Sequence, residues 1–306
     1  MKILSFPEIA ELSEKQARSY LEHVVWGDKP KCPKCNNVGA YKLKPRESSK
    51  SPVRSGVYKC KKCCKQYTVT VGTVMEKSHI PIKKWLLAII LLTSSKKGIS
   101  AHQVHRMLGI SYEAAWFMCM RIRTAMSEDI AIQKLSGIIE IDNGYVGGKE
   151  TGYKGKKEKK SKILVLVSRE GKAKSLVMDK VSASNIKESL FKHVERNSTL
   201  YSDGFYAYRG LNYQFGKHIT IIGTKQGCGQ DHSIHINTAE NFIGILKRGI
   251  HGVYHHVSKR HLQQYLNEFD FRYSNRTIED KQRSKSAMVG IIGKRLMYQD
   301  SIKQAH

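Results

Sequence analysis

Apolar residues recur at helical spacing in three parts of the N-terminal 130 residues. Residues 1–29 form the first amphipathic pattern, and a second opens at Pro81. Farther along, residues 100–108 and 112–126 form two short helical patterns joined by a glycine turn, and Ser111 is suited to cap the later one. This arrangement predicts a helix-turn-helix that contacts DNA, although many helical hairpins that never contact DNA share it.

From Gly137 onwards the apolar positions fall into short β-prone runs that alternate with helical stretches. The pattern predicts strands at residues 137–142, 162–168, 173–178, 198–202 and 218–222, and helices at residues 182–194, 238–248 and 258–275. Three strands, a helix, two strands and a helix are the element order of a ribonuclease H-like fold. We therefore expect an α+β or α/β protein whose C-terminal part is a ribonuclease H-like domain.

Two Cys-x-x-Cys pairs, Cys32 with Cys35 and Cys60 with Cys63, flank residues 36–59. Each pair can form a tight knuckle that places two sulfurs at corners of a tetrahedron, so the two pairs predict a zinc ribbon with a four-cysteine Zn²⁺ site. The alternatives are a redox pair, or cysteines without a ligand role in a lysine-rich loop. The remaining cysteines have no partner at ligand spacing, and we expect them to be buried as small apolar side chains. They are Cys64, Cys119 and Cys228.

The charge balance narrows the choice of partners. The chain has 306 residues, with 53 Lys and Arg against 26 Asp and Glu, and a formal net charge of +27. Such an excess favours a polyanion, because basic side chains release the counterions condensed on nucleic acid. A membrane surface attracts the same charge. The longest strongly apolar stretch, residues 85–92, is far shorter than the roughly 20 residues that span a bilayer, and the N-terminus lacks the apolar core of a signal peptide. We expect a cytoplasmic, nucleoid-associated protein without membrane contact.

Three acidic residues stand out in this basic chain. Asp142 ends one predicted strand, Asp203 follows another, and Glu240 lies early in a predicted helix. Taken singly, Asp142 and Asp203 are each explained as turn residues at a strand end. Taken together, carboxylates brought from strand ends and a helix are suited to hold Mg²⁺ (or Mn²⁺), which prefers hard oxygen ligands beside a phosphate.

Several longer motifs resemble one known family, the zinc-ribbon insertion-sequence transposases with an ISXO-like DDE domain. The resemblance covers nearly the whole chain and is specific because the motifs occur together. They are the two cysteine pairs and residues 71–85, 141–149, 201–206, 235–242 and 246–249.

The resemblance implies that the metal ligands of the catalytic site are Asp142, Asp203 and Glu240. Family members carry either Glu or Asn at the third position, so Asn237 and Asn241 remain alternatives to Glu240.

One position departs from the family pattern, which more often has Glu after the first Asp, where this chain has Asn143. Because successive residues of a strand face opposite sides, we expect Asp142 to keep its place toward the metal.

The expected mechanism is in-line displacement at phosphorus with two Mg²⁺ ions. One ion activates water or a DNA 3′-hydroxyl, and the other stabilises the leaving 3′-oxygen. Lys247 follows Glu240 by two helical turns, so both can face the site, and we expect the lysine to position a phosphate. The alternative is a solvated helix cation.

Glu268, Arg272 and Arg276 recur every four residues and give one charged helix face. This spacing predicts either an intrahelical salt-bridge ladder or contacts of Arg272 and Arg276 with DNA ends.

The predicted organisation has five parts. They are an N-terminal helix at 1–29, a zinc ribbon at 30–76, a helical DNA-binding segment at 77–130, the ribonuclease H-like catalytic domain at 135–280 and a C-terminal tail at 281–306.

The expected function is a DNA transposase that binds terminal inverted repeats and target DNA. The resemblance also implies a homo-oligomer on paired ends. A domesticated, catalytically inactive DNA-binding protein and a ribonuclease H-like nuclease are the alternatives.

Overall fold

The structure is a computed structural model that describes residues 2–44, 55–127, 134–147, 160–221 and 234–299. The chain forms two compact units, Met1–Met126 with Ile278–His306, and Ser127–Thr277. Among the described residues, none of the helices combines the length and the apolar character that crossing a bilayer requires.

The first unit combines a small antiparallel sheet with six helices in its described part. The sheet has the strand order β1-β2-β3, with β1 at Ala40–Lys42, β2 at Tyr58–Cys60 and β3 at Gln66–Tyr67. The helices are α1 Phe6–Glu11, α2 Glu14–Trp26, α3 Ile82–Ser94, α4 Ala101–Leu108, α5 Tyr112–Ala125 and α9 Asp280–Val289.

Helix α3 is the central helix of this unit and is buried over most of its surface, including Trp85. Its N-cap residue is Pro81, which has no side-chain oxygen to accept a hydrogen bond from the first helical N–H groups. The Glu14 carboxylate takes that role, accepting from the N–H of Ile82 at 2.7 Å and of Lys83 at 3.2 Å. An acidic side chain there also complements the helix dipole.

Helix α9 lies inside the segment predicted as a C-terminal tail, and it packs against α3 in the first unit. The hydroxyl oxygens of Thr93 and Ser284 lie 2.8 Å apart in this buried contact. Arg283 donates to the Thr93 carbonyl at 3.0 Å. Residues 278–299 therefore form part of a folded core.

The two helices predicted around Gly109 are confirmed. Gly109 adopts a left-handed conformation with φ 56° at the end of α4, and the Ser111 hydroxyl accepts from the Ala114 N–H at 3.2 Å to start α5. The two arginines of α5 are buried, however, and Arg121 donates to the Leu296 carbonyl at 3.2 Å. Arg121 and Arg123 therefore support the core and do not form a DNA-reading face.

The second unit is built on a five-stranded sheet with the order β6-β5-β4-β7-β8. Strands β4, β5 and β6 are antiparallel neighbours, whereas β7 and β8 run parallel to β4. The strands are β4 Ile138–Val146, β5 Ser161–Ser168, β6 Ala173–Met178, β7 Thr199–Asp203 and β8 Lys217–Ile221; the helices are α6 Ala183–His193, α7 Asn237–Gly249 and α8 Lys259–Ser274.

All five predicted strands and three predicted helices of this unit are present. Their described boundaries agree with the prediction to within one residue except at the end of β4, and Ile222 lies outside the described residues. Strand β4 continues to Val146, so Asp142 lies inside the strand and not at its end. The extension occurs because β5 pairs with β4 along its whole length, from Ile139 with Ser168 to Val146 with Ser161.

Each face of the sheet is covered by a separate apolar core. Ile139 and Ile141 of β4 point to the core shared with α6. Val146 of β4 and Val165 of β5 point to the opposite core, which also contains side chains of α7 and α8. Because both faces are covered, β5 is buried along nearly its whole length.

Candidate functional site

The four predicted zinc ligands converge in the first unit. The Sγ atoms of Cys32 and Cys63 lie 3.7 Å apart, and those of Cys35 and Cys60 lie 3.6 Å apart. All four sulfurs lie within 4.8 Å of one another. Sulfurs bound to one tetrahedral Zn²⁺ at about 2.3 Å are separated by about 3.8 Å, so the geometry fits a structural zinc ion.

Backbone N–H groups of the second knuckle favour the thiolate form of Cys60. Hydrogen bonds from the N–H groups of Cys63 and Lys62 lower the pKa of the Cys60 thiol, against the effect of burial. The N–H of Lys62 lies 3.3 Å from the Cys60 sulfur. A thiol with a lowered pKa is available as the thiolate that zinc requires.

The prediction for the other cysteines is correct at one position and wrong at another. Cys119 is buried on α5, as expected. Cys64 is exposed, because it follows the second knuckle in a left-handed turn with φ 55°. Cys228 lies outside the described residues.

In the second unit, strand pairing places Asp142 and Asp203 side by side. Strands β4 and β7 run parallel with Ile141 opposite Ser202, and each aspartate is the next residue of its strand. Both side chains are half-buried. Glu240 is exposed in the first turn of α7, and α7 packs on β4.

The electrostatic environment of Asp142 shows that the four predicted catalytic residues lie close enough to interact. Burial raises the pKa of Asp142 to about 6, and the charges of Asp203 and Glu240 add to the increase. The Asn143 N–H and the charge of Lys247 act in the opposite direction. A buried carboxylate with other carboxylates nearby is suited to a divalent cation, and carboxylate oxygens are the hard ligands that Mg²⁺ prefers.

The carboxylates are spread more widely than the cysteines. Among the residues that the structure describes, the four cysteines are the one group of three or more ligand-type side chains whose atoms all lie within 4.8 Å of one another.

The three candidates for the third metal ligand lie on one helix, α7. Glu240, Asn237 and Asn241 are all exposed on α7, and the charge of Glu240 acts on Asp142. The structure excludes none of the three as the third ligand, and the choice of Glu240 stays a prediction.

Asn143 faces away from Asp142, as predicted from strand alternation. Its side-chain amide donates to the Tyr208 hydroxyl at 3.2 Å, and Tyr208 belongs to the core shared with α6. The substitution of an acid by Asn143 thus falls on the opposite face of the sheet.

One buried carboxylate near this site was not predicted. Glu140 lies two residues before Asp142 on the same strand and is fully buried. It accepts hydrogen bonds from the N–H groups of Thr238 at 2.8 Å and Ala239 at 3.0 Å, and it pairs with Arg169 at 3.0 Å. The available signal was an acidic residue inside the apolar run Ile-Ile-Glu-Ile, because such a residue needs hydrogen-bond partners when buried.

The charged residues predicted along α8 make two kinds of contact: one arginine forms a buried ion pair, and the other, just after the helix, contacts the β5–β6 turn. Arg272 is 5% exposed in its side chain and pairs with Glu268, whose carboxylate also accepts from the Tyr254 hydroxyl at 2.7 Å. Arg276 is exposed, donates to the Gly171 carbonyl at 2.7 Å and lies over the Tyr273 ring. Arg272 thus forms the intrahelical salt bridge that was one of the two predicted possibilities. Arg276 is hydrogen-bonded to the turn between β5 and β6.

Two regions of the chain match models of known protein families. Residues 134–274 match the family model of the ISXO2-like transposase domain, and residues 12–66 match that of the transposase zinc-ribbon domain. A protein of Halobacterium salinarum described as an uncharacterized protein in transposable element ISH50 is 26% identical over 288 residues, which cover 85% of this chain and 91% of that protein. A structure described as a pre-cleavage Mos1 transpososome aligns with 68% of this chain and 79% of its own, at 9% identity and a TM-score of 0.22, too low to indicate a shared fold.

Proposed function

Because the chain belongs to the insertion-sequence transposases that join a zinc ribbon to an ISXO2-like transposase domain, we propose that it cuts and joins DNA at a divalent-metal site formed by Asp142, Asp203 and Glu240. The observation that carries the proposal is the parallel pairing of β4 with β7, which makes the two aspartates neighbours. The influence of both Asp203 and Glu240 on the pKa of Asp142 supports the same grouping.

The order of the strands supports a ribonuclease H-like catalytic domain. An antiparallel β4-β5-β6 sheet is extended by β7 and β8, which run parallel to β4, and helices cover both faces. The acids come from the central strand, its parallel neighbour and the first turn of α7.

The three acidic residues and Lys247 have different roles in the proposed reaction. Divalent ions, if held by these residues, would supply activation of water or a DNA 3′-hydroxyl and stabilisation of the leaving 3′-oxygen. Asp142, Asp203 and Glu240 supply carboxylate oxygens and hold their charge close to the scissile phosphate. Lys247, exposed on α7 and within electrostatic reach of Asp142, binds a non-bridging phosphate oxygen.

DNA binding follows from the family and from the charge of the chain. A net charge of +27 supplies affinity for the phosphate backbone of any sequence. We propose that the first unit, with its zinc ribbon and the α4–α5 pair, recognises terminal inverted repeats, and that two or more copies act on paired ends. We expect a protein that acts on chromosomal DNA to be associated with the nucleoid.

The deciding experiment is a Mg²⁺-dependent cleavage and joining assay on DNA that carries the terminal sequences flanking the gene. The wild type is compared with Asp203→Asn, which keeps the size of the side chain and removes its charge. Joined products from the wild type alone support the proposal. Nicked DNA without joining indicates a nuclease, and tight binding without chemistry in either protein indicates a domesticated DNA-binding protein.

A further inference from the structure

The three elements that carry the candidate metal ligands are joined by side chains that lie two residues before those ligands. On β4 and β7, residues two apart face the same side of the sheet, and Glu140 is paired directly with Tyr201 across the two strands. We call the joined residues the anchor cluster. It consists of Glu140 before Asp142, Tyr201 before Asp203, Thr238 before Glu240, and Arg169, which contacts the first two.

Glu140 supplies the cap that α7 lacks in its own sequence. The N-cap position of α7 is Ile236, whose side chain cannot accept a hydrogen bond from the helix. The Glu140 carboxylate instead accepts from the backbone N–H groups at the second and third helical positions, Thr238 and Ala239. It also accepts from the Thr238 hydroxyl at 3.0 Å. These contacts fix both the height and the rotation of α7 over β4.

Arg169 connects the same carboxylate to the neighbouring elements. Its Nε donates to Glu140 at 3.0 Å, and a terminal nitrogen donates to the His235 carbonyl at 3.1 Å in the segment that leads into α7. Its guanidinium also lies 5.0 Å from the centre of the Tyr201 ring on β7. One arginine therefore contacts β4, β7 and the start of α7.

The hydrogen bonds of Glu140 go to residues other than the candidate ligands, which indicates a structural role for this network. Glu140 is fully buried, and its hydrogen bonds go to the helix and to Arg169. Burial of a carboxylate is costly unless its partners are in place, so the network is stable in one arrangement of the three elements.

We propose that the anchor cluster is a positioning device that sets the spacing of Asp142, Asp203 and Glu240 for a divalent cation. The inference rests on the proposed function, since it assigns the cation to these three carboxylates. Glu140 and Thr238 act through the backbone of β4 and α7 and do not touch the metal. Loss of the cluster should weaken metal binding, because residues that orient ligands commonly contribute about tenfold or more to metal affinity.

The test measures Mn²⁺ binding to the full-length, zinc-loaded protein by electron paramagnetic resonance, without DNA. Thr238→Val removes one hydroxyl hydrogen bond to Glu140 and preserves the shape of the side chain, whereas Thr238→Ser keeps the hydroxyl. Glu140→Gln places an amide N–H₂ against N–H donors and is the stronger change. Asp142→Asn removes a proposed ligand directly.

Asp270 offers a matched control in the same unit. This buried carboxylate ties α8 to β6 by accepting from the Ser175 N–H at 2.9 Å and from the Ser175 hydroxyl. It anchors a helix to the sheet as Glu140 does, but neither α8 nor β6 carries a proposed ligand. Asp270→Asn should lower thermal stability and leave Mn²⁺ affinity unchanged.

The expected result is Mn²⁺ binding weakened about threefold in Thr238→Val and about tenfold in Glu140→Gln, with Thr238→Ser close to the wild type. If Glu140→Gln fails to fold, the two Thr238 variants decide the question. Wild-type affinity in Thr238→Val, or an equal loss in Asp270→Asn, would overturn the positioning role while Asp142→Asn still loses metal. If the wild type and Asp142→Asn bind Mn²⁺ equally, the proposed metal site itself fails.

Discussion

The sulfur of Cys35 lies 3.6 Å from that of Cys60, so the two knuckles of the ribbon meet across residues that are far apart in the sequence. Strand β2 ends at Cys60, and Tyr58 of the same strand stacks on Tyr67 of β3 with ring centroids 6.0 Å apart. The apolar cluster around the cysteines is small. We therefore infer that the ribbon depends on its metal for stability, as small metal-bound modules generally do.

Replacement of one zinc ligand should release the ion. We expect Cys32→Ser to lose bound zinc and to unfold the ribbon at a lower temperature, since binding of structural zinc contributes about 10 kcal/mol or more in small zinc modules. Zinc content after gel filtration and thermal unfolding are the measurements. Cys64→Ser is the matched control, because Cys64 is adjacent, exposed and outside the sulfur cluster. Full zinc content in Cys32→Ser would remove that residue from the site.

Removal of the Asp142 charge should stabilise the protein when Mg²⁺ is absent. The folded-state pKa of about 6 lies above the ordinary 3.8, so the carboxyl contributes stability below pH 3.8 that is lost as pH rises through about 6. Near neutral pH, Asp142→Asn should gain about 1–2 kcal/mol in urea unfolding, after allowance for solvent screening.

The control for this prediction is Asp179, whose pairing with Lys259 lowers its pKa. Asp179→Asn should give no gain in stability. A loss of stability in Asp142→Asn would contradict the prediction that burial of this charge, together with repulsion by Asp203 and Glu240, destabilises the fold.

His193 should make stability depend on pH in the opposite direction from Asp142, over an overlapping pH range. Burial lowers the pKa of His193 to about 4, and the charges of Lys174, Lys192 and Lys134 add to the effect. Because the folded-state pKa lies below the unfolded value of 6.5, this stability is present above pH 6.5 and is lost as pH falls through about 4. The slope should reach at most about 1.4 kcal/mol per pH unit. His193→Gln should flatten this slope in urea unfolding when both proteins carry Asp142→Asn, which removes the opposing contribution of Asp142. An unchanged slope would contradict the assignment.

The fold was predictable from the sequence to the extent that local patterns determine it. Strand β6 and the helix after Ser111 lie where alternation and capping place them. The end of β4 was not predictable, because it is set by pairing with β5 and not by the apolar run that stops at Asp142. A tertiary partner overrode the local signal.

In the candidate site, too, the features set by local sequence could be predicted and those set by distant partners could not. Asp142, Asp203 and Glu240 could be named as candidates from two strand ends and a helix start, and motif resemblance predicted a common role for them. The role of Glu140 could not be read from the sequence, because its hydrogen-bond partner Thr238 is 98 residues away in the chain. Arg272 was equally ambiguous, since helical spacing gives the same pattern for a buried pair and for an exposed DNA contact.

Lys247 should contribute to cleavage and not to metal binding. It lies two turns after Glu240 on α7, so both face the same side, and its charge reaches Asp142. Lys247→Gln removes the cation that we propose to contact substrate phosphate. We expect cleavage to fall about tenfold or more with Mn²⁺ affinity close to the wild type. Arg248→Gln is the matched control, because Arg248 is an exposed cation that the helical turn directs elsewhere. General charge loss would weaken DNA binding in both variants alike, and equal cleavage by the two would therefore contradict a specific role for Lys247.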